Sequence, residues 1–226
     1  MRKNKYCLLI VAIIFLSVRT YSQQKEITLP KPSYKGNLTF EELIYKWKAT
    51  RRFSTRELTT EQLSQLLWSA VGFTIDGITS ATRVYPSAGA IYPLELYVVC
   101  GNIKLLEPGI YKYDPQRNSI KLIKKGDFRE DLTKAAYGQF FISQAPVSFV
   151  WVADYNIVNK YYGQRGTTRY VHTDLGHSAQ NLTLQATALG LGTVQVGAFN
   201  DDTVRNLLGL SKDKTPVYIM PVGYPK

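Results

Sequence analysis

The sequence predicts an α+β fold that mixes hairpin-joined strands with long helices. Three observations predict it. Short apolar runs bounded by turn residues alternate irregularly with segments of helical period. A polar turn, Asp114-Pro115-Gln116-Arg117-Asn118, joins two strand-like runs as a hairpin. The chain shows no repeat and no second domain, and 226 residues suffice for one domain with a substantial core. Apolar residues at 45% against charged ones at 20% place the chain with folded rather than disordered proteins.

The first 22 residues read apart from the rest. Arg2, Lys3 and Lys5 precede an apolar run from Tyr6 to Val18, and small polar residues follow at Thr20 and Ser22. That is the build of a signal peptide cleaved near Ser22-Gln23, and it predicts an exported protein, periplasmic or secreted. The run is too short to span a bilayer comfortably, so no stable membrane insertion is expected after cleavage. Residues 23–38, with Pro30, Pro32 and Gly36, read as an arm or linker.

The folded domain is expected from residue 39 to residue 226. Thr39 and Glu42 form a capping box before Phe40, Leu43, Ile44 and Trp47 at helical spacing. A second helix starts near Thr59 or Thr60, carries Leu63, Leu66, Leu67 and Ala70 on one face, and stops at Gly72. Pro86 to Pro93 reads as a loop and Leu94 to Cys100 as a buried strand. The hairpin takes residues 109–113 and 119–123. Phe128 to Tyr137 reads as a helix ended by Gly138, and Val147 to Ala153 as a strong strand. A long helix is expected from Thr173 to Leu189 with Leu175, Ala179, Leu182, Ala186 and Leu189 on its buried face. Thr193 to Val196 reads as a strand, Asp201 to Leu208 as a helix and Val217 to Val222 as a last strand.

Several functions are excluded by composition. Loss of the leader removes four basic residues and no acidic one, lowering the net charge from +11 to +7. The basic residues are scattered and the longest pure runs are pairs, so no nucleic-acid partner is expected. A modest surplus suits one anionic cofactor better. Cys100 alone remains in the mature chain, which excludes an internal disulfide and a cysteine metal site. His172 and His177 lie five positions apart, on different faces of a continuous helix, so no metal is expected. Gly190, Gly192 and Gly197 follow a helix and precede a strand, the reverse of a dinucleotide loop, and Gly190 reads as a helix cap. Ser87 has no nucleophile elbow around it.

Seven segments, in order and with their gaps, carry a resemblance. They are Glu61-Gln-Leu-Ser-Gln-Leu-Leu-Trp-Ser-Ala70, Arg83-Val-Tyr-Pro-Ser-Ala-Gly-Ala-Ile-Tyr-Pro93 and Gly109-Ile-Tyr-Lys-Tyr-Asp-Pro115. Then come Gln144-Ala-Pro146, Gly176-His-Ser-Ala-Gln-Asn-Leu182, Ala188-Leu-Gly-Leu-Gly-Thr-Val194 and Met220-Pro-Val-Gly-Tyr-Pro225. Together they resemble the nitroreductase superfamily, and in particular its SagB-type dehydrogenase branch. The resemblance implies a mixed, mostly antiparallel sheet in an intertwined homodimer, with FMN at the interface touched by both subunits. It implies ping-pong transfer of hydride between a reductant, NAD(P)H or quinol-like, and a small organic acceptor. SagB-type relatives oxidise azoline rings in peptides with cytoplasmic partner enzymes, a role that export opposes.

The resemblance also implies site residues. The family's amino-terminal motif, roughly Arg-(Arg/Lys)-Ser-x-Arg-x-Phe, maps to Trp47 through Phe53, so Lys48, Ala49 and Arg51 are expected at the cofactor. Trp47 and Ala49 depart from the usual arginine and serine. A rival register places Arg51, Arg52 and Ser54 on the motif, but then the phenylalanine and the spacing to Leu58 fail. Pro86, Ser87, Ala88 and Gly89 resemble the loop along the flavin edge, where small residues let backbone approach. Gln195, Val196, Gly197 and Ala198 resemble the segment over the flavin, with the backbone of Gly197 and Ala198 supporting N5. Lys226 is expected at the phosphate. A flavin carrier without turnover, and a surface module that has lost the flavin, are the alternatives.

Overall fold

The computed structural model describes residues 26–74 and 82–226. The expected leader, residues 1–22, lies outside them. Seven strands form one sheet in the order β1-β4-β3-β2-β5-β7-β6, and the paired strands run antiparallel throughout. They are β1 (Glu26–Thr28), β2 (Leu94–Cys100), β3 (Gly109–Asp114), β4 (Ser119–Lys125), β5 (Val147–Asp154), β6 (Gly192–Thr193) and β7 (Lys214–Gly223).

The centre of the sheet explains the architecture. β5 is apolar at nearly every position and buried from Val147 to Ala153, so both faces of the sheet must be covered. Its side chains alternate between two cores. Phe149, Trp151 and Ala153 meet α2 (Thr60–Val71) and α6 (Val171–Ala188), where Leu63, Leu66, Leu67 and Leu182 pack. Val150 and Val152 meet the opposite layer of α3 (Arg129–Ala135), α4 (Phe141–Gln144) and α7 (Asp201–Leu208), through Leu132, Phe141 and Val204. Trp151 donates its indole N–H to Ser178 Oγ at 2.8 Å, and Ser178 donates to Ala70 O at 2.7 Å, which ties β5, α6 and α2 together.

The helix ends follow their sequence signals. The capping boxes of α1 (Phe40–Lys46) and α2 form as expected at Thr39/Glu42 and Thr59/Gln62. Gly72 ends α2 in an extended conformation, and a Cβ there would lie 2.3 Å from the Trp68 ring. Gly190 follows α6 with φ of 69°. Cys100 is buried and free, and burial pushes its thiol up, away from the reactive thiolate.

Four expectations are corrected. The arm contains β1, which pairs with β4 from Glu26 to Thr28. The strand expected over 193–196 shrinks to Gly192–Thr193, because Gln195 turns its side chain to α6 and Val196 keeps a single bridge to Ile219. The helix expected over 128–137 is shorter, and α4 follows it. The long helix begins earlier, after α5 (Tyr155–Arg165) and a π-turn over Gly166–Tyr170, neither of which the sequence period showed. Val158 is the one buried residue of α5, too little for a stripe.

α1 forms its helix yet buries nothing. Phe40, Ile44, Tyr45 and Trp47 all remain exposed beside α6. The outward face of α6 carries His172, Thr173, Gly176, His177 and Gln180, also exposed. No helix among the described residues is long and apolar enough to cross a membrane.

Candidate functional site

Residues 49–54 run extended along the β6–β7 edge of the sheet. Thr50 donates its N–H to Thr193 O at 2.9 Å, and Ala49 bridges Thr193 in parallel. Ser54 donates to Tyr224 O at 2.9 Å, and Lys226 donates to Arg52 O at 3.1 Å. Gly192 allows the approach, since a Cβ there would lie 2.5 Å from Thr50 Oγ1. Thr50 and Phe53 turn inward and are buried. Lys48, Ala49, Arg51, Arg52 and Lys226 are left exposed on this edge.

These cations carry no acidic partner among the described residues. The Arg51 guanidinium lies 6.0 Å from the centre of the Phe141 ring. A groove of about 650 Å³ opens beside it, lined by Arg52, Phe53, Thr55, Phe140, Gln144 and Lys226. The strip therefore presents positive charge in solvent that no carboxylate neutralises.

Residues 195–198 flank the same edge. Val196 exchanges backbone hydrogen bonds with Ile219 at 2.9 and 3.0 Å, and the Gln195 amide donates to Thr183 Oγ1 of α6 at 2.9 Å. Gly197 and Ala198 are exposed, and among the described residues their N–H groups meet no protein acceptor. The Ala198 carbonyl accepts from Gln139 at 2.9 Å, which fixes how this peptide is turned. Sequence reasoning missed Gln139 because nothing in its neighbourhood marks a long-range contact.

The loop before β2 forms a second group. Ser87 donates its hydroxyl to Asp174 Oδ2 at 2.5 Å and accepts the Tyr92 N–H at 3.0 Å. Ala88 donates its N–H to Asp174 Oδ1 at 3.4 Å. His177 Nδ1 lies 3.3 Å from Pro86 O, and Asn181 donates to Val84 O at 2.9 Å. These bonds hold a strained segment. Gly89, Ala90 and Tyr92 have φ of 60°, 54° and 52°, and the two non-glycine residues each cost roughly 1 kcal/mol or more there.

Asp174 is nearly fully buried, and burial pushes its carboxyl above the usual value of 3.8, opposed by the Ser87 and Ala88 hydrogen bonds and His177. Tyr85, beside it, is buried with its hydroxyl unpartnered, and burial raises its pKa. Asp174 was missed in the sequence because an acid in the first turn of a helix reads as ordinary dipole complementarity.

The two groups are anchored at different points along α6. The Ser87 loop hangs on Asp174 and the Gln195 segment on Thr183, nine residues along α6. At ~1.5 Å per residue these anchors are about 13 Å apart. Among the described residues no cluster of histidine, cysteine and carboxylates could hold a metal ion.

The architecture is a two-sided antiparallel sheet whose edge and whose loop over α6 carry a cofactor-type surface, cationic and rich in bare backbone. The class is settled by comparison. The family model described as the nitroreductase family matches residues 44–224. A Methanocaldococcus jannaschii protein described as a nitroreductase is 40% identical over 198 residues, covering 88% of this chain and 96% of that one. The crystal structure of a nitroreductase from Ralstonia eutropha shares the fold with a TM-score of 0.76 at 28% identity, over 89% of this chain and 90% of that one. The NADPH:FMN oxidoreductase of Vibrio harveyi, complexed with NAD+, superposes with a TM-score of 0.59 at 20% identity, over 82% and 68% of the two chains. The chain belongs to the nitroreductase family.

Proposed function

We propose that two copies of this chain bind FMN between them and work as an oxidoreductase. The observation that carries the reading is the unneutralised strip of Lys48, Arg51, Arg52 and Lys226, set beside the exposed N–H groups of Gly197 and Ala198. Such a strip suits an anionic phosphate, and bare backbone donors suit the edge of a flavin ring. The small side chains of Ser87, Ala88 and Gly89 leave the backbone of that loop open to close approach. The residues present therefore fit the cofactor.

When bound, FMN would supply the redox chemistry, carrying reducing equivalents between a donor and an acceptor. The protein's part is binding, placement and electrostatics. Arg51 and Lys226 would hold the phosphate, and the backbone N–H groups of Gly197 and Ala198 would serve the ring.

Dimerisation follows from the same geometry. The exposed faces of α1 and α6 expose Phe40, Ile44, Tyr45 and Trp47 to water, a patch that a second copy would cover. Pairing two α6 helices antiparallel about a two-fold axis sets the Ser87 loop of one chain against the Gln195 segment of the other. One site then draws on both chains.

The donor in this reading is NAD(P)H or a quinol-like reductant and the acceptor a small organic molecule. In this reading the basic-apolar leader directs export, and the order of the motifs resembles that of the SagB-type branch. Purified protein should show flavin absorbance or bind added FMN. Arg51→Ala should weaken FMN binding by about ten-fold or more, as loss of a charge-assisted contact does. Colourless protein that takes up no FMN contradicts the proposal. Trp47 and Ala49, standing where a cation and a hydroxyl are usual, favour a second reading, a flavin carrier. Bound FMN that dithionite reduces but no donor–acceptor pair turns over would select it.

A further inference from the structure

We infer that Asp174 is a positioning residue whose carboxylate fixes the Ser87–Tyr92 loop in the shape that the flavin edge meets, an inference that rests on the flavin reading above. The loop cannot hold that shape by its own preferences, because Ala90 and Tyr92 sit in the left-handed region beside Gly89. Asp174 supplies two acceptor oxygens from the rigid first turn of α6, and the loop supplies two donors. Ser87 then passes the restraint on by accepting the Tyr92 N–H at 3.0 Å. The Ser87 hydroxyl proton is thus committed to Asp174, and what the loop offers a cofactor is its backbone.

The burial of Asp174 argues that the carboxylate is kept for this purpose. Removing a carboxylate from water is costly, and an asparagine would occupy the same space at lower cost. An asparagine, however, has one acceptor and one donor group. It could accept the Ala88 N–H and donate its NH2 to the Ser87 oxygen, but the Ser87 proton would lose its anionic acceptor, and with it the charge-assisted bond that holds the loop. The Ser87 hydroxyl and the Ala88 N–H from the loop bond Asp174, and the charges of His177, one turn on in α6, and of Tyr85 interact with it over longer range.

The test compares wild type, Asp174→Asn, Ser87→Ala and the double variant. Three readouts are taken: FMN dissociation constant, flavin reduction potential, and unfolding temperature of the flavin-free protein. Asp174→Asn is expected to raise the dissociation constant about ten-fold or more and to shift the potential. It should not lower the flavin-free unfolding temperature. Ser87→Ala should move affinity and potential in the same direction. The double variant should lose about as much as the worse single one, since both act through one bond. Unchanged affinity and potential in both single variants overturn the inference, and so does a variant whose only change is a lower unfolding temperature. Should Asp174→Asn fail to fold, Ser87→Ala decides, because it removes the same bond from the loop side. Failure of wild type to bind FMN overturns the flavin reading itself. Normal binding by wild type with indifferent variants overturns this inference alone.

Discussion

β5 and α1 both carry large apolar side chains, and the fold treats them oppositely. β5 buries every residue from Val147 to Ala153, while α1 buries none. The difference is not one of local quality, since α1 has a complete capping box and helical spacing. It lies in what each element faces. β5 has helices on both sides, while the apolar face of α1 lies open beside the open face of α6. One region is completed within the described residues, and the other is left open by them.

The largest effect should come from the closed region. Trp151→Ala should cost about 3–5 kcal/mol in chemical denaturation, since it opens a cavity and removes the indole N–H that Ser178 accepts. A loss below 1 kcal/mol would show that the centre of the sheet is not the stabilising core. The open region should behave otherwise. Ile44→Lys should change the stability of a single chain by roughly 0.5 kcal/mol or less, yet halve the mass measured by light scattering. An unchanged mass would mean that α1 is simply exposed.

The caps sharpen the same contrast. Thr59→Ala removes the cap of α2, a helix bound into the core, and should cost about 1 kcal/mol of global stability. Thr39→Ala removes the matching cap of α1 and should cost less in denaturation of the separated chain. Equal losses would show that α1 unfolds with the core.

The smallest effect is a dependence on pH. Burial raises the Asp174 pKa, so the folded chain favours the protonated form. The stability this contributes is complete below the unfolded value of 3.8 and is lost as pH rises through the folded value. Asp174→Asn lacks that loss, so flavin-free variant and wild type should diverge in the variant's favour between acid and neutral pH. A constant difference across that range would remove the argument that the carboxylate is costly.

This contrast also marks what could be read from residues alone. Elements with a strong period and a cap were legible: α2, α7, β2, β5 and the hairpin of β3 and β4. Elements that depend on distant partners were not. β1 is three residues on a sheet edge with two of them exposed, and α5 offers Val158 alone to the core. In the site, the Ser87 loop and the strip through Arg51 were expected from the family resemblance alone. Asp174, Gln139 and the groove at Arg52 and Lys226 gave no local signal, because each is defined by a contact across the fold. The π-turn over Gly166–Tyr170 has no sequence signature that we recognise.

The central claim is that one flavin site takes its cations from one chain and its loop from the other. It is tested most directly by mixing two variants defective in FMN binding, Arg51→Ala and Ser87→Ala, after unfolding and refolding them together. Each homodimer carries a lesion in both sites, whereas each mixed dimer carries one intact site and one doubly damaged site. Recovery of wild-type-affinity FMN binding in the mixture, absent from either variant alone, is the predicted result. A mixture that binds no better than its parents would place both groups in one chain's site and contradict the account.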